Sequence, residues 1–426
     1  MKLKILAIAY WAKFIDAISV FWRFFLRKAK KLLRPVQLLL GFEVVKDNTK
    51  SRSVDISSYL TETDEQIRKL PEDFRHVFTT DEEIERDCFI NISNNLMNFE
   101  TAYKQWDNGF PASMMVVGEK GSGKSTFIRL ALKNLEDAEV VNVTINDTSW
   151  KLEQMLKLVG SSLGLEEYTK AESIIRQINN SEDRKVVVLE NIQNLYLRTI
   201  NGFDALEALW LIISETKEKV LWVCSCSRYA WQYLVKVEGV DTHFTHITET
   251  DKLDEDQIRD LIMKRCEKYE FKIVFESDES TRKSRSYRKR MNDEQELQAY
   301  LRNKFFDTLH ETSEGNSSVA LLFWLRSVVK VEDGIVYIRS IHPVSIDTLD
   351  ILNAEVLFVM AVIVFHDTLR VTEVTRILNM SLLETRVVLT KLRSRGILNE
   401  KDGWYLLNQM VYRQTIRLLK SRNIIH

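Results

Sequence analysis

The chain has 426 residues, 45% of them hydrophobic and 28% charged, with 13 Gly and 4 Pro. That size and composition predict two or three ordinary globular domains and exclude a collagenous, low-complexity or disulfide-stapled chain. The formal net charge of -1 conceals a segregation: residues 1–40 hold nine Lys/Arg against one acid, Asp16, so this basic end calls for an anionic partner and the remainder is acidic.

The first segment is rich in aromatic and aliphatic residues, but Lys13, Asp16 and Arg23 interrupt it. Each charge at a bilayer centre costs about 2.5–3.5 kcal/mol, which argues against a membrane span. Lys13, Asp16, Arg23, Arg27, Lys30 and Arg34 instead fall on one helical stripe, with Trp11, Phe14, Ile15, Ile18, Phe21, Trp22 and Phe25 mostly opposite. The pattern predicts a basic amphipathic helix within residues 1–45. Two readings stand side by side: residues 1–34 lie on an anionic membrane surface, or the helix docks on a partner protein or on the chain's own body. The apolar run Ile5–Ala12 is short and no small-residue cleavage site follows it, which argues against a signal peptide. Cys88, Cys224, Cys226 and Cys266 form no C-x-x-C pair and read as buried thiols of a reducing cytoplasm. The expected location is therefore cytoplasmic, at the inner face of a membrane if the first helix binds lipid.

The strongest motif is "MMVVGEKGSGKSTFIRLAL". An apolar strand over Ser113–Val117 runs into Gly118–Ser125, which fits G-x-x-x-x-G-K-[ST], and an apolar-periodic helix follows. Gly118, Gly121, Ser122, Gly123 and Thr126 belong to a loop whose backbone N–H groups close around phosphates at a helix N-terminus. Lys124 reaches the terminal phosphates and the Ser125 hydroxyl ligates Mg²⁺. ATP and Mg²⁺ are the expected ligands. Further apolar runs over Ala138–Ile145, Lys185–Glu190, Lys219–Ser225 and His243–Thr248 alternate with helical stretches such as Ser149–Leu163 and Asp204–Glu218, predicting a three-layer α/β domain with a parallel sheet.

Glu190 ends the "VVVLEN" strand 65 residues after the loop, where an acid would hold Mg²⁺ through water. Asn191 follows, where the water-activating Glu often sits. An amide orients water but accepts no proton, and general-base assistance is worth roughly 10²–10⁴-fold, so slow turnover is expected.

With these motifs the chain resembles the AAA+ ATPases, in particular the branch with a C-terminal winged helix that includes origin-recognition and transposition-regulator ATPases. The resemblance runs from about Leu70 to the C-terminus, specific at the phosphate loop and diffuse elsewhere. It implies a γ-phosphate sensor at the tip of the fourth strand, for which Ser225 and Ser227 are the candidates. It implies an arginine finger acting across a subunit boundary just before the fifth strand, and hence a homo-oligomer or partner protein; His243 stands there instead. In the lid, Ser317 and Ser318 occupy the start of the expected sensor-two helix, where an Arg is usual, and Arg326 reads as a helix-surface residue.

The segment Asp254–Phe275 predicts an amphipathic helix entering a helical lid. Arg282, Lys283, Arg285, Arg288, Lys289 and Arg290 then form a basic insertion, read either as a solvated loop or as a contact for nucleic acid or lipid. From Ile351 three helical patterns precede "ILNEKDGWYLL", a D-G hairpin signal, and a last helix. This is the order of a winged helix-turn-helix. If it reads DNA, its third helix enters the major groove, with Arg386, Lys391, Arg393 and Arg395 as contacts and Lys401 on the wing reaching phosphate. Eleven Lys/Arg and seven Asp/Glu over residues 350–426 make it mildly basic, so protein docking is the other reading.

The expected domains are the N-terminal helix (1–45), an AAA+ core (46–250), a lid (251–345) and a winged helix (346–426). Three functions follow in order: a slow regulatory ATPase that switches an assembly state at a membrane, a DNA-binding initiator- or transposition-regulator-like ATPase, and a nucleotide-sensing adaptor without turnover.

Overall fold

A computed structural model of the chain describes residues 56–78, 93–133, 135, 138–341 and 353–425. The expected N-terminal helix and Cys88 lie outside them. Among the described residues no helix is long and apolar enough to cross a membrane, and Cys224, Cys226 and Cys266 are buried free thiols.

The predicted strands form one parallel sheet of β1 (Ser113–Gly118), β2 (Glu139–Thr144), β3 (Lys185–Glu190), β4 (Val220–Ser227) and β5 (His246–Glu249), in the order β2-β3-β4-β1-β5. β1 and β4 are buried at every residue, because helices cover both faces. One face packs Met115, Val117, Leu189, Trp222 and Cys224; the other packs Met114, Val116, Val186, Val188 and Val223. The alternation of these side chains along each strand follows the strand's two-residue period. β4 lies between the phosphate-loop strand and the acid strand, so Gly118 registers with Ser227 and Leu189 with Cys224. The last predicted strand starts late: Val240–His243 forms a 3₁₀ turn, and β5 begins at His246.

Helices α1 (Ile56–Lys69), α2 (Glu72–Phe78) and α3 (Ser93–Asp107) precede the sheet. α4 (Lys124–Leu132), α5 (Leu152–Ser162), α6 (Ala171–Asn180), α7 (Asp204–Thr216) and α8 (Arg228–Glu238) connect its strands.

The lid holds a small sheet beside the expected helices. Helix α9 (Glu255–Lys268) opens on a capping box, Asp254 accepting from the Gln257 N–H while the Gln257 side chain accepts from the Asp254 N–H. Beside α12 (Glu294–Ser313) and α13 (Ser317–Ser327) stands a three-stranded sheet of β6 (Lys272–Phe275), β7 (Val328–Glu332) and β8 (Ile335–Ile338), in the order β6-β8-β7. Asp333 and Gly334, both at positive φ, make the tight turn between β7 and β8. The basic run folds as two short helices, α10 (Glu279–Lys283) and α11 (Arg285–Arg290). Arg326 is a correction too: it is buried in α13, ion-paired with Asp64 of α1 at 2.6 Å and donating to the Thr63 hydroxyl.

The C-terminal elements follow the expected order: α14 (Ala354–His366), β9 (Thr368–Arg370), α15 (Val371–Leu378), α16 (Leu382–Ser394), the hairpin β10 (Leu398–Lys401) and β11 (Trp404–Leu407), and α17 (Tyr412–Ser421). β9 adds a third strand to the hairpin, pairing Arg370 with Trp404. α14 is apolar nearly all round, as a central helix must be, and its buried residues join Tyr229 of α8 and the lid aromatics in one continuous core. Residues Asp55–His426 accordingly form one compact unit.

Candidate functional site

The phosphate loop sits at the C-terminal end of β1, in the crevice where open α/β sheets bind ligands. Its glycines are required by close approach and by backbone shape. A Cβ on Gly118 would stand 1.9 Å from the Thr250 hydroxyl, and one on Gly121, whose φ is +76°, would stand 2.7 Å from Ser318 Cβ. Ser122 shares a 2.6 Å hydrogen bond with Thr250. The Lys124 ammonium is buried and donates to the carbonyls of Gly118 (3.0 Å) and Glu119 (3.1 Å). Burial lowers its pKa, and the carboxylate of Asp367 is the largest opposing influence. Ser125 Oγ donates to Glu190 Oε2, so the predicted pair of metal-side groups is assembled.

A hydroxyl and a carboxylate are hard oxygen donors suited to Mg²⁺, which takes one or two carboxylates and completes its shell with substrate phosphates and water. Among the described residues no group of three or more His, Cys, Asp or Glu is arranged to hold a metal ion. The Ser125–Glu190 pair beside a phosphate loop therefore fits Mg²⁺ carried in with a nucleotide.

Asn191 adopts the left-handed conformation (φ +65°, ψ 48°) as the chain turns off β3 into a 3₁₀ turn, Ile192–Leu195. Asn tolerates that conformation better than Glu, which gives a local reason for the residue found there. Its N–H donates to Ser225 Oγ at 3.1 Å, so the Ser225 hydroxyl is occupied inside the sheet. Ser227 N–H donates to Gln193 Oε1 at 3.1 Å, while Ser227 Oγ is buried without a hydrogen-bond partner. Of the two sensor candidates, Ser227 thus has the hydroxyl still to be satisfied.

The positions where an arginine was expected do other work. His243 lies in the 3₁₀ turn, its ring stacked on Trp210 at 5.6 Å and its Nδ1 3.2 Å from Ser214 Oγ, which ties it to α7; burial lowers its pKa. Ser318 N–H and Ser317 Oγ both donate to the Gly121 carbonyl, at 3.1 and 3.0 Å. The N-cap of the same helix, Asn316, donates to the Lys120 carbonyl at 2.9 Å and accepts from the Val319 N–H. The start of α13 therefore holds the phosphate loop by its backbone.

Lys120–Thr126, Asn191, Gln193, Ser317 and Ser318 line a cavity of about 470 Å³. Sequence reasoning missed several of its walls. Asn95 comes from α3, Leu253, Leu261 and Leu321 from the lid, and Asp367 and Thr368 from the C-terminal module. Gln193 Nε2 donates to Asp367 Oδ2 at 2.7 Å, and Thr148 Oγ1 donates to the Thr368 carbonyl at 2.8 Å. Asp367 holds a positive φ of 60°. An apolar helix ending in His-Asp at a sharp turn was the available signal.

The suggested DNA contacts are spread over α16 and the hairpin. Arg386, Lys391, Arg395 and Lys401 are exposed. Arg393, also exposed, is ion-paired with Glu400 of the hairpin. Between them the outer face of α16 shows Leu383 and Val387, 73% and 59% exposed.

Residues 111–234 match the family described as "AAA domain". No curated protein matches the sequence. Among solved structures, the Aeropyrum pernix ORC2 protein is similar at 12% identity over 82% of this chain and 98% of that one, with a TM-score of 0.44. CDC6P from Pyrobaculum aerophilum is similar at 11% identity over 82% and 98%, with a TM-score of 0.44. The Aeropyrum pernix ORC1 protein, solved in complex with DNA, is similar at 13% identity over 81% and 98%, with a TM-score of 0.39. The phosphate loop on β1, the acid at the end of β3 and β4 between them all fall within residues 111–234, the part of the chain that matches the AAA domain family.

Proposed function

We propose that the chain is an ATP-binding regulatory ATPase of slow turnover, in which the bound nucleotide sets an assembly state. The observation that carries this reading is the placement of Lys124 and Ser125 in one cavity beside a loop closed by glycines, with Ser125 hydrogen-bonded to the Glu190 carboxylate. The loop N–H groups and Lys124 would hold the phosphates, and Leu253, Leu261 and Leu321 supply an apolar wall suited to a base. When bound, Mg²⁺ neutralises charge on the phosphates; Ser125 and Glu190 are the residues that would hold it. Slow turnover is inferred from the two positions where an arginine would stabilise charge, His243 being packed against Trp210 and Ser317 and Ser318 being engaged on the loop backbone.

Residues 1–34, with their single stripe of charge opposite aromatics, support peripheral attachment to an anionic membrane surface, with the rest of the chain in the cytoplasm. A homo-oligomer or partner protein would be the assembly that nucleotide controls. The test is ATP binding and turnover measured alone, with anionic liposomes and with duplex DNA. Co-sedimentation with liposomes supports the membrane reading.

The second reading, a DNA-binding initiator-like ATPase, is favoured by Arg386, Lys391, Arg395 and Lys401, exposed on one helix and its wing. Salt-sensitive retention on duplex DNA would support it. Retention on neither surface leaves a nucleotide-sensing adaptor.

A further inference from the structure

The acid missing at position 191 has a counterpart from the far end of the chain. Gln193 Nε2 lies 2.7 Å from Asp367 Oδ2 and 3.4 Å from Asn191 Oδ1, so the side-chain oxygens of the two residues flank one amide nitrogen. The other end of the same amide is fixed, Oε1 accepting the Ser227 N–H, and the Gln193 side chain is buried. Asp367 therefore reaches the region that a carboxylate on residue 191 would occupy, at the end of β3 beside Glu190. It lines the cavity together with Lys124 and Asn191.

The geometry that brings it there is built. α14 ends at His366, and the chain turns at Asp367 with φ +60° before β9. That turn is clasped on both sides: Tyr196 Oη donates to the Phe365 carbonyl at 3.0 Å, and Thr148 Oγ1 donates to the Thr368 carbonyl at 2.8 Å. The His366 ring packs on Tyr196 at 4.4 Å. A positive φ at a non-glycine residue is strained and persists where surrounding contacts impose it. Here those contacts aim one carboxylate into the nucleotide cavity.

We propose that Asp367 is the general base of ATP hydrolysis, supplied in cis by the C-terminal module in place of the acid absent at position 191. The proposal rests on the ATPase reading above. A water oxygen attacks the γ-phosphorus, the bond from that phosphorus to the β,γ-bridging oxygen breaks, and ADP leaves with its electron pair. The water proton passes to the Asp367 carboxylate and returns to solvent after phosphate departs. Asn191 and Gln193 orient the water and the carboxylate. Hydrolysis then requires the C-terminal module to be docked, so a partner that draws that module away would hold the chain with ATP intact.

The test exchanges amide and carboxylate between the two positions on the Gln193 nitrogen. In the full chain, with ATP affinity, single-turnover hydrolysis and protease protection of the C-terminal module measured together, D367N is expected to lose about 100-fold or more in rate. ATP affinity and protection should stay within twofold. N191D/D367N, which preserves net charge and a residue tolerant of the left-handed conformation, is expected to recover at least tenfold of that loss. An unchanged D367N rate overturns the proposal, as does a loss that N191D leaves unrecovered. Faster hydrolysis or tighter ATP binding in D367N also overturns it, and assigns Asp367 as an occluding group. ATP binding without turnover in wild type overturns the base assignment alone, whereas failure of wild type to bind ATP overturns the ATPase reading beneath it.

Discussion

Glu119, the second residue of the phosphate loop, forms a buried ion pair with Arg413 of the last helix, the two side chains being 4% and 3% exposed. Arg228, at the start of α8, and Lys252, at the lid entry, approach the same carboxylate at 3.8 and 4.0 Å. Arg413 also donates to the Ser313 carbonyl at 3.0 Å, so one guanidinium links the phosphate loop, the lid and the C-terminal module.

Removing one partner of a buried pair leaves an uncompensated charge and typically costs about 3–5 kcal/mol. Arg228 and Lys252 remain near Glu119, so R413A is expected at the lower end of that range, read as a lowered midpoint in urea denaturation. E119Q, which removes the charge and keeps the shape, should lose less.

His366 gives the structure a dependence on pH. Its ring is buried against Tyr196, and burial, with Arg198 adding to it, pushes its pKa down to about 3. A folded-state pKa below the ordinary 6.5 means that the unfolded chain binds the extra proton first. The native state keeps its full advantage above pH 6.5 and loses it as pH falls from 6.5 toward 3, by at most about 1.4 kcal/mol per pH unit. H366F should flatten that slope in denaturation curves between pH 7 and pH 5. An equal slope in the variant would show that another group titrates there.

At the nucleotide site, Lys124 is the one ammonium buried in the loop. Charge-assisted hydrogen bonds contribute about 1.5–3 kcal/mol, so K124A is expected to weaken ATP binding on the order of 100-fold, measured by calorimetry. E190Q should retain binding but lose Mg²⁺-dependent turnover, because the amide is a poorer metal ligand.

For the DNA reading, K401E and R386E should each weaken duplex binding and reduce its salt dependence by about one phosphate contact. Charge reversal at Arg393 should matter less, since Glu400 already engages it. Equal losses at all three would instead indicate a nonspecific fall in surface charge.

The contrast between what was legible in the sequence and what was not has a physical cause. The loop Gly118–Ser125 and the acid Glu190 could be read because a strand, a turn and a helix N-terminus are encoded by neighbouring residues. Cross-module contacts carry no such local signal: nothing near Asp367 or Arg413 says which surface will receive them. Arg326 read as a surface residue because its partners, Thr63 and Asp64, lie on a polar helix far back in the chain. The lid sheet, by contrast, was readable from the alternation across Val328–Ile338 around Asp333-Gly334, and was missed because the flanking helices dominate that region. Asn191 was legible as an absence. Its reason, a left-handed turn, and its neighbour, Asp367, belong to the folded chain.

The central claim, that the site binds ATP and turns it over slowly, is tested most directly by steady-state ATP hydrolysis of the full chain with Mg²⁺, alongside retention of labelled ATP after rapid desalting. Retained ATP and a rate well below the roughly 10 per second typical of enzymes are expected, both lost in K124A. A wild-type rate at or above that value, or no retained nucleotide, would contradict it.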